Sequence, residues 1–197
     1  MARPREFDED VVLDRARNAF WSNGVAATSI SALSSATGLS VGSIYKAFAS
    51  KDQLCAMTLE DYTDTARAGL ADTLRGAASP TAGLRAWFKG IAAAASDPSP
   101  TRGCYAVELA AERAAVDERI RAILVDHDRR LLELVADTVR RGVDAGELIG
   151  EPEAVARLLT ATVNGIQVEA RKGISYADAM ATFDVLLAGL TPTDPRS

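Results

Sequence analysis

The chain has 197 residues, 48% of them hydrophobic and 25% charged, a balance that suits a folded globular protein and excludes disordered and fibrous classes. A net charge of −5 argues against wholesale coating of nucleic acid. No run approaches the roughly 18 apolar residues of a membrane span. The opening MARPREFDED lacks the apolar core of a signal peptide, so no membrane association and a cytoplasmic location are expected.

In chain order, Val12, Leu13, Ala16, Ala19 and Phe20 recur at helical spacing and predict an amphipathic helix over 8–22, ended by Asn23-Gly24. Thr28 and Ser29 offer capping oxygens to a short helix carrying Ile30 and Leu33, which Thr37-Gly38 stops. Ser40 caps a third helix over 41–47, and Ser50 a fourth that begins near Lys51. Beyond it, apolar stripes predict helices over 51–75, 81–95, 104–114, 117–145, 152–172 and 176–190, broken at GAASP, SDPSPTRG, AGELIGEP and KGIS. No strand alternation is present. The expected fold is all-α with about nine helices: a three-helix helix-turn-helix unit at 1–51, and a larger helical domain at 52–197 joined to it by the fourth helix.

Charge is unevenly distributed. Residues 1–51 carry net +1 and leave −6 to the rest, and residues 15–51 hold Arg15, Arg17, Lys46 and Lys51 with no acidic residue. A polyanion is accepted there and repelled elsewhere. Within this segment TGLSVGSIYKAFASK has the composition of a helix that enters a DNA major groove. Gly42 and Ser43 keep its first turn slim, Ser40 and Ser43 can donate to phosphates or base edges, and Val41 suits a thymine methyl. Tyr45 and Lys46 lie on the outer surface, Ile44 and Phe48 face inward, and Lys51 opens the next helix where its N-terminus favours a phosphate. Thr28 and Ser29 join this candidate DNA surface from the preceding helix. The plainer alternative is a solvated turn between two helices of an ordinary bundle.

The joint pattern Phe20, Gly24, Thr28, Leu33, Gly38, Ser40, Gly42, Tyr45, Phe48, Lys51 and Leu54 resembles the N-terminal signature of the tetracycline-repressor (TetR) family of bacterial transcription factors, in order and spacing over about residues 8–57. Ser34 and Thr37 depart from it, standing where the family usually carries Ala. The resemblance implies a repressor that binds a palindromic double-stranded DNA operator as a homodimer and is released by a small-molecule inducer. It also implies that the last two helices form the dimer interface, which assigns Leu158, Leu159, Thr162, Val163, Ile166, Phe183, Leu186, Leu187 and Leu190 to that face.

For the inducer, aromatic and polar residues on apolar helix faces are the candidates: Met57, Tyr62, Trp87, Phe88, Tyr105, Glu108, His127, Leu131 and Asn164. Each alone is as well explained by core or surface. His127, the only histidine, sits in DHDRR, which favours a solvated helix face. Cys55 and Cys104 are too few and too far apart for a disulfide framework or a zinc site, so reduced thiols are expected. Cys104, beside a helix N-terminus, is either a buried inert thiol or a reactive one. No Ser-His, Cys-His or di-metal pattern supports an enzyme, and no cofactor or metal is expected. A helical protein-interaction module is the remaining alternative, disfavoured by the acid-free run.

Overall fold

The computed structural model describes residues 7–101 and 103–192. The two ends of the expected domains, and Arg102, lie outside the described residues. Among those described, nine helices and no strands are present: α1 (Glu9–Asn23), α2 (Ile30–Thr37), α3 (Val41–Phe48), α4 (Lys51–Gly76), α5 (Pro80–Ser96), α6 (Tyr105–Arg113), α7 (Glu118–Asp144), α8 (Pro152–Ala170) and α9 (Tyr176–Gly189). Local chemistry sets most boundaries. Ser29, Ser40, Ser50 and Ser79 each accept a hydrogen bond from a backbone N–H three residues on, opening α2, α3, α4 and α5. Gly38 closes α2 in the left-handed conformation, φ 77°, that a Cβ would disfavour.

Thr28 does not cap α2. It is buried, and its hydroxyl donates back to the Gly24 carbonyl at 2.7 Å, which folds the α1–α2 loop onto itself. Ser34 and Thr37 close local hydrogen bonds, to the Leu39 carbonyl at 2.6 Å and the Leu33 carbonyl at 2.7 Å, so both departures from the family pattern keep their hydroxyls satisfied.

Two apolar cores form. One gathers α1, α2 and α3 around Phe20, Leu33, Ile44 and Phe48, and it extends without a break into the start of α4 and into Tyr105, Leu109, Ile120 and Leu124 of α6 and α7. The other lies among α4, α5, α7, α8 and α9, where Phe88 stacks on Phe183 with ring centroids 4.1 Å apart. Helix α4 belongs to both.

Candidate nucleic-acid interface and internal cavity

Helix α3 has two distinct faces. Ile44 and Phe48 are buried, whereas Val41 is 39% and Tyr45 49% exposed, with Gly42 and Lys46 on the same outer side. A Cβ built on Gly42 meets nothing within 4 Å, so the outer first turn is open. Ser40 accepts from the Ser43 N–H at 3.1 Å, and the two hydroxyls lie 2.9 Å apart, still directed outward with spare hydrogen-bonding capacity. Ser29 is exposed nearby at the start of α2, but buried Thr28 offers no accessible surface.

Lys51, expected at a phosphate, makes contacts within the chain. Its ammonium donates to the Val25 carbonyl at 2.9 Å and the Thr28 carbonyl at 3.1 Å, tying α4 to the α1–α2 loop. The half-buried side chain thus holds the loop through two of its carbonyls. The N–H groups of the same loop are gripped from another side. Glu112, near the end of α6, accepts from Val25 N–H at 3.0 Å and from Ala26 N–H at 2.8 Å. Arg171, just past α8, adds a bond to the Trp21 carbonyl at 3.2 Å and an ion pair with Glu108.

Above this junction lies a cavity of about 300 Å³ walled by α4, α5, α6, α7 and α8. Five of the expected ligand residues line it: Tyr62, Trp87, His127, Leu131 and Asn164. The other four do not. Phe88 is committed to its stack with Phe183, and Met57 packs against the lower core. Tyr105 is fully buried with its hydroxyl 3.0 Å from that of Thr58, and Glu108 is ion-paired with Arg171. Cys104, Arg67 and Gln167 line the cavity instead, and only the packing of distant segments brings them there.

Burial sets the electrostatics of these walls. It lowers the His127 pKa, partly opposed by Asp128, so the imidazole is held neutral rather than solvated. Partial desolvation by the surrounding walls raises the Asp128 carboxyl, although the residue is exposed. The Tyr62 hydroxyl donates to the Cys104 sulfur at 3.4 Å, and burial keeps that phenol protonated. Arg67 is ion-paired with Asp64. Cys104 is half-buried at the cap position of α6, where it makes no capping bond, while burial pushes the Cys55 thiol up to about 11.

On α8 and α9 the expected dimer stripe divides. Leu159, Val163, Ile166, Phe183, Leu187 and Leu190 are buried in the chain's own core, because that side of α8 packs on α5 and α7 and that side of α9 packs on α5. Thr162 and Leu186 are half-buried. The outer face presents Leu158 at 48%, Val168 at 50% and Val185 at 76% exposure. Among the described residues no helix is long and apolar enough to cross a membrane, and no group of three or more metal-ligating side chains occurs.

Comparison with known proteins agrees with this architecture in both halves. The description "Bacterial regulatory proteins, tetR family" matches residues 12–56, and "Tetracyclin repressor-like, C-terminal domain" matches residues 80–182. A repressor of Escherichia coli, ComR, is 26% identical over 183 residues, covering 90% of this chain and 86% of that protein. The uncharacterised HTH-type regulator YezE of Bacillus subtilis is 27% identical over 158 residues, covering 80% of this chain and 81% of its own. A cysteine-substituted form of the TetR family regulator CifR, solved with 26-base-pair double-strand operator DNA, superposes with a TM-score of 0.84 at 27% identity, covering 96% of this chain and 100% of that one. With its all-helical fold, its outward-facing α3 and both halves matched, the chain belongs to the TetR family of DNA-binding transcriptional regulators.

Proposed function

We propose that the protein is a ligand-responsive repressor: residues 1–51 read a palindromic operator, and residues 52–197 dimerise and hold a small-molecule inducer. The observation that carries the DNA reading is the outer face of α3, where Val41, Gly42, Tyr45 and Lys46 stand exposed within a segment that has no acidic residue from 15 to 51. Large apolar side chains left in solvent beside a cation suit a groove lined by phosphates and thymine methyls. Two such helices in a homodimer meet half-sites about one helical turn apart. Repression as the sense of regulation is supported by the relative ComR, and the DNA partner by the operator complex of CifR.

The inducer belongs in the cavity. Its walls include Leu70, Trp87, Ile91 and Leu131, its histidine is held neutral and Arg67 is paired, which favours an uncharged, partly aromatic molecule over an anion. Such a ligand releases DNA only if it binds the DNA-free conformation more tightly. Dimerisation uses the outer faces of α8 and α9, where Leu158, Val168 and Val185 flank Ala161 and Gly165, small enough for close helix approach.

The test is selection of binding sites from random duplex DNA, followed by salt-titrated affinity. A palindrome should emerge, and Tyr45→Ala should bind it at least fivefold more weakly, about 1 kcal/mol, with the dimer intact. Uncharged aromatic alcohols should release the complex where matched carboxylates do not. Wild-type affinity in Tyr45→Ala removes α3's outer face from the interface.

A further inference from the structure

We propose that Glu112 is the positioning residue through which the body of the protein fixes the spacing of its DNA-reading helices. This rests on the dimeric operator-binding reading above. Both oxygens of the Glu112 carboxylate accept from consecutive backbone N–H groups, Val25 at 3.0 Å and Ala26 at 2.8 Å. The carbonyls of the same short loop, Val25 and Thr28, are taken by Lys51 from α4. One loop is thus held by its donors from α6 and by its acceptors from α4, with the Val25 side chain buried between. Charge-assisted, two-point contacts of this kind fix direction as well as distance.

What the loop controls follows from the chain. It leads directly into α2, and only residues 38–40 separate α2 from α3, so a shift of the loop is carried to the recognition helix. At its other end α6 meets the cavity: Ala106, Val107 and Ala110 line the wall that Glu112 extends from. A helix of nine residues is about 13 Å long. It behaves as one strut between cavity and loop. Glu112 itself is exposed, so its replacement leaves no buried charge.

The test uses Glu112→Gln in the full chain, which keeps size but turns a donor toward one of the two N–H groups. The probes are a palindromic duplex selected from random DNA by the wild type, the same duplex with one base pair inserted at its centre, and a single half-site. Wild type should lose more than about thirtyfold on insertion. Glu112→Gln should bind the intact palindrome about fivefold more weakly, lose less than about fivefold on insertion, and bind the half-site as wild type does, all within the usual range of intersite coupling. Its melting temperature should hold, while amide exchange at Val25 and Ala26 accelerates. Unchanged spacing tolerance, or a half-site loss as large as that on the palindrome, overturns the proposal. A wild type that selects no palindrome overturns the dimeric reading and this inference together, whereas a palindrome treated identically by both proteins overturns this inference alone.

Discussion

Two residues of the N-terminal segment, Gly42 and Lys51, separate surface from support. The Lys51 ammonium serves two loop carbonyls at 2.9 and 3.1 Å, so Lys51→Met leaves both without it and should cost about 1–3 kcal/mol of unfolding free energy, read by denaturant titration. Operator binding should weaken in step with the loosened loop. A variant of full stability whose salt slope falls by about one unit would instead return Lys51 to the phosphates. Gly42→Leu should behave in the opposite way. With nothing within 4 Å of its Cβ, the new side chain burdens no core contact and stands in the way of the groove. Affinity should drop at least tenfold, about 1.4 kcal/mol, with no change in melting temperature, and early melting would place Gly42 against the protein's own packing.

At the scale of the element, α7 begins on a compact electrostatic joint. Asp117 accepts from the N–H groups of Arg119 and Ile120, both at 3.1 Å, and pairs with Arg113, which also reaches Asp52 on α4 at 3.0 Å. The Ile120 N–H, outweighing some burial and joined by Arg113, holds the Asp117 carboxyl below its ordinary range. A carboxyl whose folded pKa is depressed stabilises above the unfolded value near 4 and loses that contribution as pH falls through the folded one. Asp117→Ala should therefore cost about 1–2 kcal/mol at pH 7, and the two proteins should converge in stability as pH falls through the depressed pKa. A gap that persists in acid would assign the effect to packing. Elements of this kind were the legible part of the sequence: the expected 117–145 is observed as Glu118–Asp144, because capping chemistry is written in adjacent residues. The α6 start was legible as well, though Cys104 makes no capping bond there, since the glycine and proline punctuation before it marks the break.

Across the whole molecule, legibility ends where two distant segments must meet. Leu158 and Leu159 are neighbours in sequence, one on the outer face and one in the core, and an apolar stripe does not say which of its edges faces its own chain. The cavity is assembled from five helices, so Cys104 and Gln167 join it only through packing, while Phe88 and Tyr105 are taken up by the two cores. The outer face of α8 and α9 can now be tested directly. Leu158→Asp combined with Val185→Asp places two charges on surface that is 48% and 76% exposed in the single chain, so each protomer should remain helical while sedimentation reports a monomer. Loss of the palindrome with retained half-site binding should accompany it. A double variant that sediments as wild type would move the interface elsewhere.

The unbroken core that runs from Phe20 and Leu54 into Tyr105, Leu109 and Ile120 bears on how such regulators can be recombined. A graft cut at the α3–α4 boundary would set a foreign head on a socket shaped for Val25, with Glu112 reaching for amides that another loop need not present. The transferable unit is therefore larger than the three helices α1 to α3. It includes the first turns of α4, all of α6 and the opening of α7, a discontinuous module that exchanges cleanly only when its sequence-distant half travels with it.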